Sequence, residues 1–274
     1  MGEFSKKISK RIGHVQLKEG FCLICGVEGK LSQDHIPPQC CVTVRSIEQR
    51  LATEMMGADS TSFKGVRARN GSSFRTICQS CNNKLGVYDK HVGEVYEKLT
   101  LQVSNYFGSA SNLYSFASVP VNAVSYARSM IGHMLAATSD EECRHPPCEM
   151  SYFDPLKKFV LGDDFALENT HDIYYWFYPR SMHISAKFVT VRNNGHQVPV
   201  SVLSFYPVAF MVTLKNQGIY PAQAIELKLQ DKNLVINLST ENSDFVDFPF
   251  VPLVGDQMCM LNDSQAIISY PVSK

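Results

Sequence analysis

No apolar run in this 274-residue chain reaches the length needed to span a bilayer, which takes about 18 residues or more. The opening residues, Met1-Gly-Glu-Phe-Ser-Lys-Lys7, lack the apolar stretch of a secretory signal. A soluble, cytoplasmic protein with no membrane partner is therefore expected. No repeat of fixed period and no low-complexity linker interrupts the chain. Net charge is missing as well, since 26 Lys and Arg face 26 Asp and Glu. With 45% hydrophobic and 19% charged residues, the composition excludes bulk disorder and allows one large domain or two smaller ones.

The zero hides an asymmetry. Residues 1–98 carry 15 Lys/Arg against 10 Asp/Glu, a net of +5, and residues 99–274 carry 11 against 16, a net of −5. A basic front half beside an acidic back half suits a phosphate-binding module next to a domain with another task. Nine cysteines are many for an intracellular chain. In a reducing compartment, paired cysteines more often ligate metal than form disulfides.

Local patterns order the front half as knuckle, hairpin, insertion, knuckle, helix. Residues 5–14 are basic and predict a short helix or arm. Cys22-Leu-Ile-Cys-Gly26 reads as a tight turn. Residues 31–38 predict a short strand running into a loop, because Pro37 and Pro38 bar its continuation. Residues 43–57 predict a helix, with Val44, Ile47, Leu51 and Met55 on one face and Gly57 as its stop. Residues 58–72 read as a basic loop. Ser73-Phe-Arg-Thr-Ile77 alternates like a strand and delivers Cys78 and Cys81. From Asn82 onward, Leu85, Tyr88, Val92, Val95 and Leu99 recur at helical spacing.

Beyond about residue 105 the character changes. Residues 122–138 predict a helix, with Val124, Ala127, Ile131, Met134 and Leu135 on its apolar side. Residues 150–272 are mostly strand-like, at 173–178, 183–191, 200–205, 209–214 and 234–238. Turn signals at Asn193-Asn-Gly195 and Asn216-Gln-Gly218 separate several of them. The aromatic run at 173–178 reads as a buried strand rather than a base-stacking platform. The expected fold class is α+β, with one unit over residues 1–105 and a strand-rich, mostly antiparallel unit over 106–274.

Cys22, Cys25, Cys78 and Cys81 form two matched Cys-x2-Cys pairs. Four thiolates complete a closed tetrahedral zinc site, which is structural rather than catalytic. Such a site contributes folding free energy directly. Between and after the pairs stand Asp34-His-Ile-Pro37 and Cys78-Gln-Ser-Cys-Asn-Asn-Lys-Leu-Gly86. Together these pieces, over about residues 20–92, resemble the HNH endonuclease family in its variant with two zinc-binding Cys-x-x-Cys pairs.

The resemblance implies a ββα-metal fold with His35 as general base, Asp34 as a ligand of the catalytic metal and Asn82 as the other ligand. Asn83 is the fallback. The residue types agree with this chemistry. Neutral imidazole, with a pKa near 6.5, takes a proton from water at physiological pH. A hard cation such as Mg²⁺ or Mn²⁺, held by few protein oxygens, keeps positions free for phosphate. Each residue also has a plainer role: His35 as a surface residue, Asp34 as a turn-former, Asn82 as a helix N-cap. Asp34 and His35 would point to opposite faces of a strand, so a turn or bulge is needed for both to serve one site.

The chain departs from the family's pattern at its middle Asn. Ser73 holds the nearest equivalent position, Asn70 is out of register, and the stretch from His35 to Cys78 is long. Lys6, Lys7, Lys10, Arg11, Lys64, Arg67, Arg69, Arg75 and Lys84 are candidates for neutralising backbone phosphates. His91 falls on the helix face opposite Asn82 and is read as a bystander. Cys143 and Cys148 lack partners for a second metal site, and Cys40, Cys41 and Cys259 carry no signal.

The expected function is metal-dependent hydrolysis of DNA phosphodiester bonds. By the resemblance, stand-alone relatives with an extra domain often belong to prokaryotic restriction or anti-phage systems, as homo-oligomers or with a partner subunit. Two other readings stand beside it. One is a binding module in which the zinc knuckle is scaffold only. The other is a ligand sensor in the C-terminal half that controls the nuclease.

Overall fold

A computed structural model describes residues 17–41, 46–55, 65–68, 71–109, 114–239, 241, 243–252, 254–261 and 266–272. The basic N-terminal arm with Lys6, Lys7, Lys10 and Arg11, together with Lys64, Arg69 and Asn70, lies outside the described residues. The architecture is mixed α and β, and its strand pairs are antiparallel. No helix among the described residues is long and apolar enough to cross a membrane.

Three strands and one long helix build the front of the molecule. β1 (Glu19–Phe21) pairs with β2 (Glu28–His35), and β2 pairs with β5 (Ser73–Cys78). The chain then enters a 30-residue helix, Gln79–Gly108. Its spacing of apolar residues is the one the sequence predicts: Leu85, Val92, Val95 and Leu99 are buried. Each such fully buried aliphatic side chain contributes roughly 1.5–3 kcal/mol. The helix begins at Gln79, three residues earlier than expected, and β5 runs directly into it with Cys78 as the extended N-cap residue.

The stretch between His35 and Cys78 corrects an expectation. Residues 43–57 were predicted helical, but Ile47–Leu51 is a strand, β3, followed by one helical turn, α1 (Ala52–Met55). Ile47, Gln49 and Leu51 are buried and alternate with half-buried Glu48 and Arg50. Ile47 and Leu51 are four apart, a spacing that fits a helix face and one strand face equally well. The ladder decides. β3 pairs on one side with β14 (Ala266–Pro271), from the far end of the chain. On its other side it pairs with β4 (Val66–Ala68), a strand within the stretch expected to be loop.

β3 and β4 thereby join a nine-stranded sheet. With α2 for the helix Gln79–Gly108, the remaining elements are β6 (Phe116–Pro120), α3 (Ala123–Ala136), α4 (Phe153–Leu161), β7 (His171–Phe177) and β8 (His183–Asn193). After them come β9 (His196–Phe205), β10 (Val208–Leu214), β11 (Ile225–Glu226), β12 (Asn233–Asn237) and β13 (Met258–Leu261). The large sheet runs β11-β7-β10-β9-β8-β14-β3-β4, with β13 also on β8, while β12 and β6 form a separate pair. Helix α4 falls in a segment expected to be strand-like. Strands from both sides of residue 105 share the sheet, and one apolar core contains Ile36, Leu85, Ile131 and Phe210 alike.

Helices α2 and α3 pack closely against each other. A Cβ on Gly132 would stand 2.2 Å from Leu85 Cδ2, so the residue at this crossing must be glycine. Asn122 caps α3 by accepting from the Ser125 amide at 3.1 Å. That crossing puts the next residue, His133, at the back of β2.

Candidate metal and strand–helix site

The first knuckle is a tight turn. Gly26 N–H donates to Cys22 C=O at 2.8 Å, and Cys22 N–H donates to Val27 C=O at 3.0 Å. Gly26 sits at φ +74°, in the left-handed region that glycine occupies without strain. The second knuckle is the junction of β5 with α2. Together they bring the Sγ atoms of Cys22, Cys25, Cys78 and Cys81 within 4.8 Å of one another.

These four sulfurs fit zinc. Cys25 Sγ and Cys78 Sγ are 3.8 Å apart. Tetrahedral zinc with Zn–S bonds of about 2.3 Å has S···S edges of roughly 3.8 Å. The hydrogen bond from Cys81 lowers the Cys22 thiol to about 4, whereas burial pushes Cys25 up to about 11. Four crowded sulfurs therefore ionise together only around a cation. Among the described residues, this is the one group of three or more His, Cys, Asp or Glu side chains whose ligand atoms converge.

Asn82 lies one residue past this cluster, in the first turn of α2. Its Nδ2 donates to Ser32 Oγ at 2.7 Å and to Gln33 C=O at 2.9 Å. A carbonyl only accepts, so the group facing Gln33 is the amide nitrogen, and Asn82 Oδ1 has no hydrogen-bond partner among the described residues. Asn83 is exposed, and its Oδ1 accepts from Gln79 Nε2 at 2.7 Å. The start of α2 is thus tied to the strand one residue before Asp34.

Asp34 and His35 end β2. The register slips between Ser32 and Asp34, where one residue of β2 opposes two of β5. Asp34 shares a strand face with Ser32, toward α2, and is buried. His35 is half-buried, pairs in register with Ser73, and makes no side-chain hydrogen bond among the described residues. The chain then leaves the strand through Ile36, Pro37 and Pro38, all buried. The structure brings Asp34, His35 and Asn82 to one strand end and one helix start.

What the sequence did not disclose is the far side of Asp34. His133 Nδ1 stands 2.9 Å from Asp34 Oδ2, and its Nε2 stands 2.8 Å from Asp89 Oδ1. Ser129 Oγ donates to the same Asp89 oxygen at 2.7 Å. His133 is completely buried and Asp34 nearly so, while the Asp89 side chain is 22% exposed. Burial disfavours the imidazolium, but the two carboxylates outweigh it and raise His133 to about 10. Among the described residues, Asp34 Oδ1 has no hydrogen-bond partner, so one oxygen of this buried carboxylate is held by His133 and the other is not.

Two features of the sequence are consistent with this arrangement, though neither singles it out. Asp89 follows Asn82 by seven residues, two helical turns, so both lie on one face of α2. His133 falls between Met130 and Met134 on a helix face that is otherwise apolar.

The basic candidates divide. Arg67 is 74% exposed and pairs with Glu48 at 3.2 Å. Arg75 is half-buried on β5. Lys84 Nζ donates to Leu161 C=O at 2.8 Å, at the C-terminal end of α4 where a cation meets the helix dipole. His91 approaches Glu94 at 4.0 Å. Cys143 is buried with its Sγ toward Thr76 C=O, and Cys148 is exposed. Compared with models of protein families, with curated proteins and with solved structures, the chain matches none of them.

Proposed function

We propose that this protein is a metal-dependent, HNH-type endonuclease that hydrolyses phosphodiester bonds of DNA. The observation that carries the reading is the Asn82 bridge. It joins a zinc-stapled helix start to the strand that ends in Asp34 and His35, and among the described residues one oxygen of Asn82 and one of Asp34 have no hydrogen-bond partner. Zinc on the four cysteines holds that junction together. Mg²⁺ or Mn²⁺ would be held by Asp34 and Asn82, and when bound it stabilises negative charge on the phosphate. Asn83 suits this role less, because its oxygen is already engaged by Gln79. His35 takes a proton from the attacking water, and Arg67, Arg75 and Lys84, with Lys64 and Arg69, supply positive charge for the backbone. A restriction or anti-phage role, with a second copy or a partner subunit, is the setting this activity suits.

A second reading is favoured by one observation. Asp34 is already engaged by His133, as in a structural ion pair. On that reading the zinc module is a scaffold that binds nucleic acid or a partner without cutting.

Cleavage of supercoiled plasmid with Mg²⁺ or Mn²⁺ separates the two. Nicking by the parent protein and none by a His35→Ala protein with unchanged zinc content is the expected result. DNA retained in a shift assay but never cut at any metal concentration would overturn the nuclease reading in favour of the binding module.

A further inference from the structure

We infer that His133, anchored by Asp89, is a positioning residue that orients the second oxygen of Asp34 for the divalent cation. This rests on the proposed metal role of Asp34. It places part of the metal site's support in α3, outside the zinc-stapled segment.

Both ring nitrogens of His133 face carboxylate oxygens, so both are donors. An imidazole gripped at two ends cannot rotate, and neither can the carboxylate it grips. With one oxygen of Asp34 fixed, the direction of the other is set as well. Metal-binding carboxylates are commonly oriented by such hydrogen bonds, whose loss typically weakens metal binding by about 10–100-fold. Asp89 is itself fixed by Ser129 on the same helix as His133. The Asp34, His133 and Asp89 side chains do not converge as a metal cluster, because the two carboxylates flank opposite ends of the ring.

Two substitutions split the two ends of the ring. His133→Asn keeps a donor near the Nδ1 position, toward Asp34, and gives up the one toward Asp89. His133→Gln keeps a donor near Nε2 and gives up the one toward Asp34. Mn²⁺ binding to zinc-loaded protein, followed by electron paramagnetic resonance of the free ion, reads the effect without any cleavage assay. Parent protein is expected to bind one Mn²⁺, with His133→Asn a few-fold weaker because the Asp89 anchor is lost. His133→Gln and Asp34→Asn are expected to be weaker by about tenfold or more. Equal affinity of parent and His133→Gln would overturn the positioning role while leaving the metal reading intact. No Mn²⁺ binding by the parent would overturn both. Should either His133 variant lose its zinc, Asp89→Asn at the partly exposed end takes its place, with the same few-fold weakening as His133→Asn expected and unchanged binding overturning the proposal.

Discussion

His133 Nδ1 lies 2.9 Å from Asp34 Oδ2 across 99 residues of sequence. The contact depends on how closely α3 approaches α2, and on the strand face that Asp34 occupies. It joins the candidate site to a helix outside the segment that carries the cysteine and Asp-His motifs.

The close approach at Gly132 makes a stability prediction. Gly132→Ala places a methyl group 2.2 Å from Leu85 Cδ2, so Leu85 or the helices must shift. The expected loss is about 1–3 kcal/mol, the usual cost of overpacking a core. Chemical denaturation of parent and variant measures it. An unchanged midpoint would mean that the helices separate freely at this crossing.

Zinc should be stoichiometric and structural. One zinc per chain is expected by elemental analysis, and Cys22→Ser or a strong chelator should remove it. The knuckles tie β1 and β2 to the β5–α2 junction, so their loss should cost several kcal/mol. Each kcal/mol corresponds to about 2 °C in Tm at this chain length. A melting temperature insensitive to zinc removal would show that the four sulfurs hold no structural ion.

Acid should destabilise the fold through two buried histidines. Burial lowers His183 to about 4, and burial likewise lowers His171 to about 4. His183 Nδ1 and His171 Nε2 have no hydrogen-bond partner. The folded pKa lies below the unfolded value of about 6.5, so the unfolded chain binds more protons between these limits. Stability is fully present above pH 6.5 and falls as the pH drops towards 4, by on the order of 3 kcal/mol per histidine. The single tryptophan, Trp176, is buried with Nε1 donating to Val246 C=O at 2.9 Å, and its fluorescence reports unfolding. His183→Leu should flatten the pH profile over this window; an unaltered slope would remove His183 from the account.

If the protein binds DNA through its basic face, Arg75 and Lys84 should behave differently. Arg75→Ala is expected to reduce the slope of log affinity against log salt by about one. Lys84→Ala should change it less, because Lys84 Nζ is engaged by Leu161 C=O. Equal effects on the salt slope would mean that Lys84 exchanges its carbonyl for phosphate.

Much of the architecture was legible because it is local. The Cys-x2-Cys spacing, the apolar period of α2, the alternation of β5 and the aromatic and β-branched runs of β7, β8 and β10 each follow from side chains within a few residues of one another. The Asn194-Gly195 turn, with both residues at positive φ, could be read the same way. Ile47 and Leu51 could not, because a four-residue spacing serves either period and β14, more than two hundred residues away, selects the strand. The helix Phe153–Leu161 was hidden for a related reason: it is short and lies in a segment otherwise rich in strand formers.

By itself, then, the sequence determined which atoms could act: four thiols at matched spacing, a carboxylate beside an imidazole, and an amide at a helix start. Spacing along a chain carries that information because knuckles, strands and helix turns have fixed local dimensions. Only the tertiary structure decided how those atoms face. The bridge from Asn82 to Gln33, the grip of His133 on Asp34 and the recruitment of β3 into the large sheet all join residues far apart in sequence. Their geometry is set by packing of whole elements, which no local pattern encodes.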